Sequence, residues 1–514
     1  MNSSKIKYRP EIDGLRAIAV ITVIFYHFEI SFFGNEFFKG GYLGVDVFFV
    51  ISGYLITSIL VDEYESKNSI SILNFYKRRI RRIIPLLFTV ILVSIPFAWF
   101  FLLPSSLIDF SKSSLSSLIF SSNFYFHFSE NAYFNFNDSN PLLHTWSLSV
   151  EEQFYIIFPI FLFFIFRYQK KNLINFLFIF LILSLFLAQL GSKNFLSLNF
   201  YYLPSRGWEI LAGSILAYYE IKFNGRSKNR LLNNTMPIIG LIMIFYSFLF
   251  FNKELNHPSL ITLIPIIGTC LIIWFADKNE IITIILSSKL FVGVGLISYS
   301  LYLWHYPIFA YVKYINLLEH SDIFLRLLIG FFIVLISVAS YYFIERPFRN
   351  KSYKFKKLIK IIITMIVLIF SINSIIIYND GFKNRFSEIY LKNNFFRSEL
   401  SDESLKYVEK YKNKEFVSKN KEKILIVGDS HSIDLFNSFI QNKQLFKQFE
   451  FLRYNLSLSK KFNKDEFKNF SESKVYSQAD TILISDYFSD TESFLLLEDF
   501  LKTFNAKKKI ILTS

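Results

Sequence analysis

The 514-residue chain has one cysteine, Cys270, which excludes an intrachain disulfide and a thiolate-held metal cluster. Histidine is almost as scarce: seven in all, none after His431, so the tail beyond it offers no distal base for a hydrolase triad. With 12 prolines and 17 glycines there is no collagen-like or Gly/Ser linker tract, and no internal repeat. Charged residues make up only 19%, and acidic ones are outnumbered, 41 against 56 basic, leaving a formal net charge of +15.

What is abundant is apolar. Hydrophobic residues make up 52%, Phe alone numbers 64, and mean hydropathy is +0.36. Soluble domains are rarely this apolar. The hydrophobicity fills 15–377 and then stops; 378–514 is rich in Lys, Asn, Ser and Glu with short apolar runs, as in a soluble domain.

A membrane span needs about 20 apolar residues. The runs that qualify are Leu15–Phe33, Leu43–Leu60, Ile83–Leu103, Val150–Phe166, Leu173–Leu190, Arg206–Tyr219 (the shortest), Met236–Phe251, Ser259–Ala276, Leu290–Tyr314, Ile323–Ile344 and Leu358–Ile377. The first lacks a small-residue cleavage site after it and is expected to stay as an anchor. Leu107–Phe128 is a further candidate but is serine-rich and holds Asp109 and Lys112.

Loop charge decides that case. If the N-terminus is cytoplasmic and Leu107–Phe128 does not cross, the basic groups Lys77–Arg82, Arg167–Lys171, Lys222–Arg230 and Arg346–Lys360 all fall inside. The outer loops then keep only singles such as Lys39, Lys112, Lys193 and Lys253. The positive charge therefore reads as a topology signal rather than a nucleic-acid surface. It favours an outer segment at 104–149 that does not cross and is at most re-entrant, and an extracytoplasmic tail.

Ionisable groups in bilayer-length helices are functional candidates by default. Arg16 and His27 share the first run, about 16 Å apart along a helix, with His27 in the outer half of the bilayer. An imidazole suits proton abstraction from an alcohol or thiol; a structural histidine bonding a neighbouring helix is the alternative. Asp46 begins the second span near the same level and could orient that imidazole, or cap a helix. Arg78, Arg79, Arg81 and Arg82 could hold a nucleotide diphosphate, or simply face anionic headgroups. At an outer boundary His144, Trp146, Glu151 and Glu152 crowd together, as interfacial anchors and a helix start or as a substrate path. Arg206 beside Glu209, and His305 beside Pro307, could line that path or satisfy each other.

The tail opens with a polar, helical linker around 385–420. Lys423–Val427 then reads as a strand running into Gly428-Asp429-Ser430 and a helix. Thr481–Ser485 and Ile510–Thr513 read as strands with a helix over Glu492–Phe504, so a parallel α/β sheet is expected. Glycine after a strand allows a sharp nucleophile turn, although a serine N-cap explains the same tripeptide.

Taken in order, these motifs resemble the acyltransferase 3 membrane family. The likeness rests on Arg9-Pro10-Glu11-Ile12-Asp13-Gly14-Leu15-Arg16, His27, Gly44-Val45-Asp46, Phe48–Tyr54, the basic run ending Arg82-Ile83-Ile84-Pro85, His144–Leu148, Glu151–Tyr155, Ser298–Pro307 and Glu345-Arg346-Pro347. The tail resembles the SGNH-hydrolase domain fused to one branch, as in bacterial surface-glycan O-acetyltransferases. The resemblance implies an all-α bundle of about ten transmembrane helices over 1–350, a linking helix and extracytoplasmic linker over 351–422, and a partial SGNH-like α/β domain over 423–514. It implies acyl transfer, usually from acetyl-CoA at the cytoplasmic face, to a hydroxyl of O-antigen, lipopolysaccharide or peptidoglycan in the bacterial inner membrane, with no metal. It gives His27 the role of base or acyl relay, Arg16 and the arginine run the coenzyme side, Ser430 the nucleophile and Gly428 a share of the oxyanion site. A proton-coupled transporter and a membrane-anchored glycan esterase are the rival readings. The family's Asp-x-x-His element does not occur before Ser514, so either a truncated sequence or a defective tail is expected.

Overall fold

The computed structural model describes residues 8–28, 31–32, 35–129, 140–223, 225–252, 255–315, 323–385, 415–418, 420–428, 430–442, 444–456, 464–485, 501 and 508–513. The chain divides into two compact units, Met1–Lys383 and Asn384–Ser514.

The first unit is helical. In chain order its helices are α1 (Pro10–His27), α2 (Gly44–Lys67), α3 (Ile72–Phe101), α4 (Pro104–Leu118), α5 (Ser122–Phe128), α6 (Thr145–Tyr168), α7 (Leu173–Asn194), α8 (Leu196–Tyr201), α9 (Leu203–Lys222) and α10 (Arg230–Phe250). Then follow α11 (Leu263–Phe275), α12 (Ile281–Leu286), α13 (Lys289–Leu296), α14 (Ser298–Tyr314), α15 (Ile323–Ser340), α16 (Arg346–Arg349) and α17 (Phe355–Tyr378). Among the described residues seven helical segments are long and apolar enough to cross a membrane: Gly41–Lys67, Ile72–Phe101, Thr145–Tyr168, Lys170–Asn194, Arg230–Phe250, Phe324–Arg349 and Phe355–Tyr378. Several leave large apolar side chains on the outside, such as Ile182 and Phe186 of α7 and Phe331 of α15, as lipid-facing helices do. Helices α1, α9 and α14 instead carry ionisable groups and are buried on most sides.

Three boundaries differ from the sequence expectation. The first helix starts at Pro10 and ends at His27 rather than reaching Phe33. Proline at the first position, with Glu11 and Asp13 in the first turn, favours that start. His27 therefore sits at a helix end rather than within it. The basic run Lys77–Arg82 lies inside α3 rather than in a loop before it, so its side chains fan out around the helix. The expected single run Leu290–Tyr314 is two helices, α13 and α14, breaking at Ile297 after two glycines with poor helix propensity. Leu107–Phe128, read from loop charge as not crossing, is two helices, α4 and α5, neither of which is long enough to span.

Close approach of α2 and α9 sets the frame. A Cβ at Gly53 would lie 1.8 Å from the Ile210 carbonyl oxygen, and one at Gly213 would lie 1.9 Å from that of Val50. Small residues let the two backbones touch. Arg9 ties the start of α1 to this pair: Nη1 donates to the Tyr54 hydroxyl at 2.7 Å, Nη2 to the Ile273 carbonyl at 2.7 Å, and Nε to Glu11 at 2.7 Å. The linking helix α17 packs on α3 and α4 within this unit.

The second unit holds four parallel strands in the order β4-β3-β5-β6, where β1 and β2 are a short pairing of Ser31–Phe32 with Asn35–Glu36 in the first unit. They are β3 (Glu422–Gly428), β4 (Phe449–Asn455), β5 (Thr481–Ser485) and β6 (Lys509–Thr513). Three of the four match strands read from the sequence; β4 was missed because its Arg453 and Tyr454 interrupt the apolar run. Helix α18 (Ser430–Gln441) carries the chain from β3 to β4, and α19 (Lys464–Ser471) and α20 (Lys474–Gln478) carry it back to β5. The expected linker helix, and most of the helix expected over Glu492–Phe504, lie outside the described residues.

Candidate functional site

The end of α1 opens on a cavity of about 20 Å³, room for roughly one water, lined by His27, Tyr42, His144, Arg206, His257 and Tyr302 among others. Three histidines far apart in sequence meet beside it. The His27 ring lies 5.4 Å from His305 and meets Tyr306 edge-on at 4.8 Å; His144 and His305 are 5.7 Å apart. His305 Nδ1 is 2.6 Å from the Tyr302 carbonyl oxygen, which fixes it as the protonated nitrogen. Neither ring nitrogen of the buried His144 has a hydrogen-bond partner among the described residues. Trp146 lies against Arg206, whose guanidinium carbon is 5.2 Å from the ring centroid. The structure thus brings His27, His144, Trp146, Arg206 and His305 together.

Asp46 is not the orienter of His27 that the sequence suggested. Its Oδ1 accepts from Arg206 Nη1 at 2.6 Å and faces His257 Nε2 at 3.5 Å. Arg206 also holds Glu209 at 3.1 Å and donates from Nε to the Phe200 carbonyl at 3.1 Å. A guanidinium outcompetes an imidazole for a buried carboxylate because it offers several donors and a permanent charge. His257, in the loop between α10 and α11, is held by Tyr42 at 5.2 Å between ring centroids. Burial, with the Arg206 charge nearby, pushes its imidazole well below the usual range. Sequence reasoning passed over His257 because it sits among other polar residues, Asn252, Lys253, Glu254, Asn256 and Ser259, and so does not stand out.

A second cavity, of about 80 Å³, adjoins the first. Val45 and Tyr302 line both. The second is cationic: Arg16 and Arg82 line it, together with Ser52 and a single carboxylate, Glu151. Glu151 accepts from Ser52 and from Tyr155, and Arg16 pairs with Asp13 at 3.2 Å. The Tyr302 hydroxyl at the shared wall is 2.6 Å from Ser147 Oγ and donates to the His144 carbonyl at 3.0 Å.

Helix geometry divides the arginine run. Arg82 faces the cationic cavity. Arg81 donates to the carbonyls of Phe348, Asn350 and Tyr353 at 3.0, 3.1 and 2.7 Å, pinning the turn after α16. Arg79 stacks over Tyr155 at 5.1 Å, and Arg78 reaches Glu63 at 3.6 Å. Glu152 is buried, with Oε1 unpartnered among the described residues, and lines neither cavity.

In the second unit Gly428 ends β3 at φ +149°, and a Cβ there would lie 1.7 Å from the Ser485 carbonyl oxygen. Only glycine fits. Helix α18 starts two residues later at Ser430. Because β4 lies on one side of β3 and β5 on the other, this turn sits where the strand order reverses, the usual ligand crevice of a parallel sheet. Arg453 closes the turn, donating to the Gly428 carbonyl at 3.2 Å and to Ser432 Oγ at 2.7 Å.

Comparison with known proteins agrees with these motifs. The acyltransferase-domain profile of the acyltransferase 3 family matches residues 9–346. The O-acetyltransferase OatA of Staphylococcus aureus strain MRSA252 is 31% identical over 395 residues, covering 73% of this chain and 64% of that protein. OatA of strain NCTC 8325 / PS 47 matches to the same extent. The chain thus spans 64% of the length of these relatives. With seven helices among the described residues long and apolar enough to cross a bilayer, the chain is a multi-pass membrane protein and belongs to the acyltransferase 3 family.

Proposed function

We propose that the protein is an O-acyltransferase of the bacterial cytoplasmic membrane, moving an acyl group, acetyl by preference, from cytoplasmic acyl-CoA to a hydroxyl of an envelope glycan. O-antigen, lipopolysaccharide and peptidoglycan all present such hydroxyls. The carrying observation is the pair of abutting cavities, one lined by Arg16 and Arg82 and one by imidazoles, with Tyr302 and Val45 as their common wall. Guanidinium forks suit the phosphates and thioester end of a coenzyme. Imidazoles suit proton transfer from a hydroxyl. A thin thioester arm reaching that wall from the cationic side would present its carbonyl to His27. The name of the staphylococcal relatives, O-acetyltransferase, supports the same chemistry.

In this reading the N-terminus is cytoplasmic and the second unit lies outside. Ser430 is a nucleophile that takes the acyl group onward, with Gly428 N–H in its oxyanion site, or the glycan is acylated directly. The test is His27→Ala with membrane expression monitored. Loss of base-labile acetate from envelope glycans is expected. Persistence of that acetate, with loss of a solute flux instead, would turn the reading towards a transporter.

A further inference from the structure

We infer that His257 is a second catalytic imidazole, the group that takes the proton of the acceptor hydroxyl. The inference rests on the acyltransferase reading and adds a residue to it. His257 Nε2 faces Asp46 Oδ1 at 3.5 Å, and Asp46 is itself held by Arg206 at 2.6 Å. A carboxylate at Nε2 selects the tautomer with the proton there and leaves the Nδ1 lone pair free. Nδ1 is buried and has no hydrogen-bond partner among the described residues, and the residue lines the cavity that His27 also lines.

Neither neighbouring imidazole offers the same arrangement. His305 is oriented by a backbone carbonyl and does not line that cavity, and among the described residues no carboxylate pairs with His144. Rings hold His257 in place: Tyr42 at 5.2 Å and Phe200 at 6.1 Å, while Asn199 Nδ2 donates to the Pro258 carbonyl at 2.8 Å. An unsatisfied buried nitrogen costs free energy unless something fills it, and a hydroxyl donating to Nδ1 would.

The step balances as follows. The acceptor oxygen attacks the carbonyl carbon of the acyl thioester, the C–O bond forms and the C–S bond breaks. The hydroxyl proton passes to His257 Nδ1, where Asp46 offsets part of the cost that burial and the Arg206 charge place on the imidazolium, and then to the departing thiolate. Ester and free thiol are the only products, and the imidazole returns neutral. His27 keeps the donor side.

The test uses the full chain in two assays: base-labile acetate on the envelope glycans of expressing cells, and binding of acetyl-CoA by the purified protein in proteoliposomes. His257→Ala should lower glycan acetate at least about 100-fold, leave the affinity for acetyl-CoA unchanged, and recover when imidazole is supplied. His257→Gln keeps an N–H for Asp46 without a base; it should reach the membrane at wild-type level and be equally inactive. Wild-type acetate levels in either variant, or an inactive His257→Ala that imidazole does not restore, would overturn the assignment. Wild-type protein that binds no acetyl-CoA and acetylates no glycan would instead overturn the acyltransferase reading.

Discussion

Asp46 and Arg206, 160 residues apart in sequence, meet at 2.6 Å in a place where neither side chain is more than 1% exposed. The contact joins α2 to α9, the pair whose backbones touch at Gly53 and Gly213. Removing one partner from a buried ion pair strands the other charge, at about 3–5 kcal/mol. Arg206→Ala strands both Asp46 and Glu209, so we expect a large fall in the detergent melting temperature and in membrane yield. Arg206→Lys should not rescue, because one ammonium cannot reproduce the fork that reaches Asp46, Glu209 and the Phe200 carbonyl.

The arginines of α3 should separate into two phenotypes. Arg82→Ala should raise the apparent KM for acetyl-CoA about 10- to 100-fold, the worth of a charge-assisted hydrogen bond, with little change in melting temperature. Arg81→Ala should do the reverse, leaving KM alone and loosening the turn whose carbonyls it caps. Thermal melts beside initial-rate kinetics on the two variants would show whether the division holds.

Arg9 should behave as a structural clamp although it belongs to the same sequence motif as Arg16. Its side chain is 9% exposed and bonds Glu11, Tyr54 and the Ile273 carbonyl. Arg9→Ala should therefore cost about 3–5 kcal/mol in stability. Arg16→Ala should cost activity first. Equal losses of stability in both variants would contradict this division.

In the second unit Gly428→Ala should be destabilising, because a methyl group would sit 1.7 Å from a carbonyl oxygen at a backbone angle that L-residues rarely adopt. Strain of about 1–3 kcal/mol or more is expected. Limited proteolysis of the full chain should show faster cleavage after residue 415, with the helical unit unaffected.

Topology can be read from single cysteines. With Cys270→Ser as background, a cysteine replacing the exposed Lys474 should label from outside intact cells. One replacing the exposed Lys351 should label only after the membrane is opened. The opposite pattern would reverse the proposed direction of transfer.

Much of the site was legible in the sequence because a charge in an apolar run is conspicuous. Arg16, His27, His144, Arg206 and His305 all stand out that way, and all but His305 line one of the two cavities. The partners of Asp46 were not legible: Arg206 and His257 come from other parts of the chain, and only packing shows which cation reaches the carboxylate first. His257 sits in a loop rather than an apolar run, so hydropathy gave no contrast against which to see it. In the tail, the strand ending at Gly428 was visible as an apolar run closed by glycine, whereas β4 hid behind its polar side chains.

The sequence by itself determined that the chain crosses a membrane many times, that ionisable groups lie within the bundle, and that a parallel sheet follows it. Those properties come from local composition, since bilayer thickness and strand alternation act on neighbouring residues. Tertiary structure alone decided that Arg82 and not Arg81 faces the cationic cavity, that Asp46 serves Arg206 and His257 rather than His27, and that Tyr302 divides two chambers. Such pairings depend on which helix faces are pressed together, and a buried charge takes whichever partner that packing brings within reach.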